Sequence, residues 1–331
     1  MRSPVHHALS ALTVCGLAIG TCLAPVPAGA QGNYPSKPVQ LVLPYPPGGA
    51  TDVVGRIIGQ KLGERLGQTV VVDNRPGAGT IVGASYVAKS AADGYTLLAT
   101  SGTTFTVNPA IYPRLPYDPQ KNFEPIGLIG STGLILLANR SVPVNNLKEF
   151  VAAARAQPGK YSYGSFGAGT TAHFAGEALL SLTGTKLLHV PYKGSSPAMA
   201  DLIGGQIPFS IDTVAAALPQ VKAGKIKAIA VTTAKRSALL PNVPTVAESG
   251  YPGMDTSTWI ALVAPRGLPP EVHARLEKAL ADVVADPDTQ RKLNDNGIEP
   301  HYAPGRQVSD MIEKEIPQMR AVAQRANIKL D

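Results

Sequence analysis

The sequence predicts an α/β protein of two domains, and three observations carry the prediction. From Val39 onward, short β-branched runs alternate with segments of helical apolar spacing, the pattern of parallel strands covered by helices. The loops between them are rich in Gly, Pro, Ser and Thr, the residues that turn a chain. At 331 residues the chain also exceeds the usual size of one domain, so two cores are expected.

The first thirty residues read as a secretory leader. Arg2 gives a positive start, Ala8 to Ala24 is apolar, and Ala28-Gly29-Ala30 is a small-x-small cleavage site. Pro25 and Pro27 end the apolar run before it reaches the roughly 20 residues of a membrane span. Both cysteines, Cys15 and Cys22, lie in this leader, so the exported part is expected to hold no thiol, disulfide or thiolate metal site. The chain has 30 basic and 23 acidic residues, and its basic residues are scattered singly. No basic run interleaved with aromatics is present, which argues against nucleic acid and suits a small anion.

The elements follow in order. Val39 to Leu43 reads as a buried strand, broken by Pro44-Tyr45-Pro46-Pro47-Gly48-Gly49. Val54, Ile57, Ile58, Leu62 and Leu66 then recur at helical spacing. Thr69 to Val72 is a second strand, Ile81 to Ala88 a helix, and Tyr95 to Thr100 a third strand leading into the polar loop 101–108. After Ile126 to Gly130 the pattern restarts with strand Gly133 to Ala138, helix Leu147 to Ala156, strand Tyr161 to Gly164 and helix Ala172 to Leu182. Strands Lys186 to Pro191, Ile207 to Ile211 and Ile226 to Thr232 follow, with helices Pro197 to Ile203 and Val214 to Lys222 between them. Strand Thr258 to Ala264, a helix from Pro269-Pro270 and an amphipathic helix over 306–324 complete the chain. Gly130-Ser131 and 255–257 read as two hinge crossings. They divide the chain into a discontinuous first domain, 31–130 with 256–331, and a second domain, 131–255.

Two glycine-rich loops each follow a strand and open a helix: Tyr45 to Asp52, and Ser165 to Thr171. A helix start offers unpaired N–H groups and about half a positive charge, so such loops bind anions. Either loop alone is better explained as a turn and cap; from opposite domains they would grip a carboxylate across a cleft. Asp52 reads as a capping residue. Lys193 is either a charge near an anion or a solvated loop lysine, and Asp212 is either a helix N-cap or an acceptor for a ligand amine or hydroxyl. Gly77 to Gly83 approximates a dinucleotide fingerprint, but its last glycine is one place late, and it reads as a turn with helix packing. No metal site is expected, because His173 has no other His at ligand spacing and His189, His273 and His301 are isolated in sequence. No cofactor is expected either.

The ordered blocks Tyr34-Pro35, Val39 to Tyr45, Pro47 to Asp52 and Asp73 to Gly79 resemble the Bug-type solute-binding proteins of tripartite tricarboxylate transport systems. Tyr163-Gly164-Ser165, Gly167 to Thr170, His189 to Gly194, Leu202 to Gln206 and Pro241 to Thr245 extend the resemblance over nearly the whole exported chain. It implies a type II periplasmic-binding fold, two α/β lobes closing on one carboxylate, and no enzymatic activity. It further implies a periplasmic location and delivery to a two-component inner-membrane permease; a monomer is expected. By position, the ligand contacts it implies are Tyr45, Gly49, Ala50, Thr51, Ser165, Gly169, Thr170 and the Asp212 region. Ser101 and Asn108, in the loop after the third strand, are added on the present reading. A secreted hydrolase using Ser165 and His173, and a ligand-sensing module, are the competing readings.

Overall fold

The computed structural model describes residues 34–325 and Ile328; the leader expected over residues 1–30 lies outside the described residues. In chain order the elements are β1 (Val39–Leu43), α1 (Ala50–Leu66), β2 (Val70–Asn74), α2 (Ile81–Ala88) and β3 (Thr96–Ser101). A π turn (Thr103–Val107), α3 (Asn108–Ile111), β4 (Phe123–Asn139), α4 (Leu147–Ala156), β5 (Ser162–Ser165) and α5 (Thr171–Thr183) follow. Next come β6 (Leu188–Pro191), α6 (Ser195–Gly204), β7 (Phe209–Thr213), α7 (Val214–Lys222) and β8 (Ile226–Val231). The chain closes with β9 (Ser257–Pro265), α8 (Pro270–Ala285), α9 (Pro287–Asp295), β10 (Glu299–Pro304) and α10 (Gly305–Arg325).

The strands run β2-β1-β3-β9-β4-β7-β5-β6, with β10 and β8 also pairing with β4. Strands β2, β1 and β3 are parallel, and β9 lies antiparallel between β3 and β4. The other half repeats this order: β6, β5 and β7 are parallel, and β4 lies antiparallel between β7 and β8. Parallel strands put their carboxyl ends, and the helix starts that follow them, on one edge of each half, where ligands bind in α/β sheets.

Strand β4 is the main departure from expectation. The sequence reads as two strands interrupted at Gly130-Ser131, whereas the structure has one strand that pairs with β9 through Gly133 and with β7 from Leu134. The glycines are present for approach rather than for a break. A Cβ at Gly127 would sit 3.0 Å from the Ala303 carbonyl of β10, and the strand bulges between Leu128 and Gly130. Strand β10 and helix α9 are also absent from the sequence reading.

Each half buries apolar side chains on both faces of its sheet. Val54, Ile58 and Leu62 of α1 pack with Leu276 and Leu280 of α8 on one face of the first half, and Ala84, Val87, Val308 and Ile312 from α2 and α10 cover the other. In the second half α4 and α5 supply Phe150 and Leu179 to one face, and α6 and α7 supply Leu202 and Leu218 to the other. A fully buried Leu contributes about 1.5–3 kcal/mol relative to its exposed state, so both halves have substantial cores. Helix α1 lies close on β1 because Gly55 leaves room there: a Cβ would fall 2.5 Å from Leu43 Cδ2.

Candidate functional site

Strand β1 ends at Leu43, and the prolines of the next loop prevent it from continuing, so the chain turns into α1 with Gly49 as an extended N-cap. The N–H groups of the first helical turn have no intrahelical acceptor, which leaves Ala50 and Thr51 presenting donors. Ser101, at the end of β3, shares a 2.7 Å hydrogen bond with the Tyr45 hydroxyl. Burial pushes the Tyr45 phenol upward, against hydrogen bonds with Ser101 and Thr103, so it stays a neutral donor and acceptor.

Facing these residues is the start of α6. The Ser196 hydroxyl donates to the Pro47 carbonyl at 3.0 Å, and a Cβ on Gly194 would collide with the Pro46 ring, so the two loops touch. A narrow crevice of about 30 Å³ lies between them, lined by Tyr45, Gly49, Ala50 and Thr51 on one side and by Gly194 and Ser195 on the other. Pro46, Ser101, Phe166, Thr213 and Thr258 complete the wall, and no charged side chain is among them. The starts of a 17-residue and a 10-residue helix border this one space, each carrying about half a positive charge. The arrangement is suited to an anion.

Asp212 stands one layer behind. It belongs to β7, and the N-cap of α7 is Thr213, whose hydroxyl accepts from the Ala216 N–H at 3.2 Å. The capping alternative for Asp212 is thereby overturned, because the strand runs two residues further than its apolar pattern. Its Oδ1 accepts from the Ser195 hydroxyl at 2.9 Å and from the Thr213 N–H at 2.7 Å, while Oδ2 has no hydrogen-bond partner. Burial raises its pKa to about 6, against the lowering effect of those bonds. The carboxyl therefore reaches the crevice through Ser195.

The second glycine loop lies elsewhere. Apart from Phe166, its residues are absent from the crevice wall. Several of their polar groups are already paired: the Gly169 N–H donates to His173 Nδ1, the Thr170 hydroxyl to the Gly167 carbonyl, and the Thr171 N–H to Thr103 Oγ1. Ser165 is fully buried and hydrogen-bonds His189 Nε2 at 2.7 Å, so its partner is His189 and not the His173 of the competing hydrolase reading. Asn108 is buried as well, donating to the Gly79 carbonyl at 2.9 Å and the Tyr117 hydroxyl at 3.0 Å; it pins the loop before α2. Of the sequence-nominated residues, Tyr45, Gly49, Ala50, Thr51 and Ser101 share the crevice, whereas Asn108, Ser165, Gly169, Thr170 and Asp212 do not line it.

The stretch Tyr192 to Pro197 reads in sequence as following a strand and opening a helix, but only Lys193 is nominated there, because Pro197 puts the helix start two residues late; Gly194 and Ser195 are the residues of that stretch that line the crevice. Thr258 carries no local signal; it arrives from β9, between β3 and β4. Asp52 lies in the first turn of α1, whose N-cap is Gly49, and ties that turn to the preceding loop: its carboxylate accepts from the Gly48 N–H, Arg56 and Asn74. Burial raises its pKa, and these three partners together outweigh that and hold it below the usual carboxylate range.

The histidines form an unexpected pair. The His173 and His189 rings stack at 3.9 Å, and Tyr163 stacks on His189 at 4.9 Å. Burial lowers His173 to about 4, and burial together with His173 lowers His189 to about 3. Among the described residues, no group of three His, Cys, Asp or Glu is placed to hold a metal ion, and no helix is long and apolar enough to cross a membrane.

The profile of the tripartite tricarboxylate transporter family receptor matches residues 54–328. BugT of Bordetella pertussis is 35% identical over 320 residues, 96% of this chain and 98% of its own. Among solved structures, Rpa4515 of R. palustris, with adipate, is 36% identical with a TM-score of 0.87, covering 89% of this chain and 99% of its own. MatC of Rhodopseudomonas palustris, with bound malate, is 30% identical with a TM-score of 0.82, covering 87% and 99%. With the repeated strand order and a crevice between two helix starts, these similarities make the chain a member of the tripartite tricarboxylate transporter receptors, periplasmic solute-binding proteins that are not enzymes.

Proposed function

We propose that this receptor captures one small carboxylate in the crevice between α1 and α6 and presents it to a two-component inner-membrane permease. The candidate ligands are di- and tricarboxylates, acidic amino acids and aromatic carboxylates. A single observation carries the reading: two helix N-termini border one space whose wall holds no charged side chain. Adipate and malate in two similar proteins support the ligand class. The direct contacts in this reading are Tyr45, Gly49, Ala50, Thr51 and Ser101, with Ser195 and Thr213 opposite. Asp212 acts through Ser195, and the loop holding Ser165, Gly169 and Thr170 supports Phe166 from behind.

The two halves of the sheet are the two lobes of a clamp, 31–130 with 256–331 and 131–255. Strand β4 carries one crossing without a break, and the residues leading into β9 carry the other. The chain works as an exported monomer, with residues 1–30 removed. Calorimetric titration of the exported protein with adipate, malate, aspartate and benzoate tests the ligand class. One saturable carboxylate site is expected, stabilising the fold by about 2.7 kcal/mol at a hundredfold excess over Kd. A sugar or an inorganic cation binding while all carboxylates fail would overturn it.

A further inference from the structure

A second, larger crevice of about 190 Å³ lies beside the first and shares only Thr258 with it. It opens between α10, β9 and the π turn on one side and α5 on the other. Phe174, Met319 and Val322 of its wall pack into the apolar cluster of Val107, Ile111 and Ala323. Its chemistry is the reverse of its neighbour's. The charged side chains in its wall are Asp255 and Glu315, and it has no Lys, Arg or His. Trp259 and Phe174 add two aromatic rings.

Glu315 is held in place: the Trp259 indole N–H lies 2.9 and 3.1 Å from its two oxygens. A carboxylate has about four acceptor positions, so the Trp259 indole and the Thr106 hydroxyl leave acceptor capacity unused. Burial raises the pKa of Glu315, the cost that a cationic partner relieves. Three hydroxyls in the wall, those of Thr171, Thr256 and Thr258, have no hydrogen-bond partner, and Thr258 is 4% exposed. They offer acceptors to an ammonium in addition to the carboxylate.

We infer that this crevice is a separate site for a small organic cation, an apolar body bearing one protonated amine. The ammonium pairs with Glu315 beneath the Trp259 indole, and the body lies against Phe174, Ala175, Ala178 and Val322. Because α5 and α10 belong to opposite halves of the sheet, the cation binds where the halves meet. It therefore favours the closed arrangement and, by linkage, tightens the carboxylate site.

The test is calorimetry with benzylammonium, with benzyl alcohol and phenylacetate as neutral and anionic analogues of the same body. Benzylammonium should saturate one site, with phenylacetate excluded from it and benzyl alcohol at least about fivefold weaker. Glu315→Gln keeps an acceptor for Trp259 and should weaken benzylammonium about tenfold. Ala178→Phe should fill the crevice and abolish binding, and Gln318→Trp gives a second obstruction should the first variant misfold. Adipate titrated into the same variants reads the other crevice, so loss of one ligand without the other separates the two assignments. Equal affinity for benzyl alcohol and benzylammonium, or benzylammonium binding that survives both obstructing variants, would overturn the cation site.

Discussion

The stacked His173 and His189 pair makes the fold sensitive to acid in a way that can be calculated. Both imidazoles are neutral in the folded protein, with pKa values of about 4 and about 3, against about 6.5 in the unfolded chain. A histidine whose folded pKa is depressed costs stability as pH falls below 6.5, because the unfolded chain takes up the proton first. At pH 5 the linkage relation gives about 2 kcal/mol for each ring relative to pH 8, about 4 kcal/mol for the pair. His189 keeps one edge partly in water, so that sum is an upper bound. Asp212 acts in the opposite direction. Its folded pKa of about 6 lies above the unfolded 3.8, so falling pH relieves its burial cost, returning about 1.4 kcal/mol by pH 5. The net expectation is a loss of about 2–3 kcal/mol between pH 8 and pH 5. Urea unfolding across this range measures it, with His173→Asn retaining an acceptor for the Gly169 N–H and His189→Gln retaining a partner for Ser165. The double variant should lose no stability on acidification and should gain slightly from Asp212. If wild type and double variant share one pH slope, the buried-pair argument is wrong.

Other expectations follow from the same geometry. Asp212→Asn should stabilise the protein at pH 7.5 by up to about 3 kcal/mol, since it removes a buried charge whose pKa is raised; the advantage should vanish below about pH 4, as denaturation at both pH values would reveal. Gly49→Val places a branched side chain at the crevice and should weaken carboxylate binding at least tenfold, about 1.4 kcal/mol, with little change in melting temperature. Asp52→Asn should cost about 1–2 kcal/mol of stability by weakening charge-assisted bonds at the start of α1, leaving carboxylate affinity within about twofold in calorimetry.

Much of this protein was legible in its sequence. The alternation from Val39 to Thr232 marks out the parallel strands and their helices, because a strand buried on both faces must be apolar and a helix covering it must be amphipathic. The first glycine loop was legible too, since only a strand, a break and a helix start can follow from Leu43, Pro44 to Pro47 and Gly48-Gly49. Ser101 was found by its place at the end of the third strand. Strand β10 was missed because Glu299–Pro304 alternates polar residues with only partly buried ones and contains two prolines, which speak against a strand until the edge of β4 is available to pair with.

The sequence by itself determined the family, the α/β architecture and one of the two helix starts at the crevice, because local apolar spacing and turn residues encode where strands end and helices begin. Only the tertiary structure decided which second helix faces α1. Three loops have the same strand, glycine and helix pattern, and the choice among them depends on strand order and on how one unbroken β4 joins the halves. Those are distances between residues some 150 positions apart, Pro47 and Ser196 among them, and no local rule of spacing contains them.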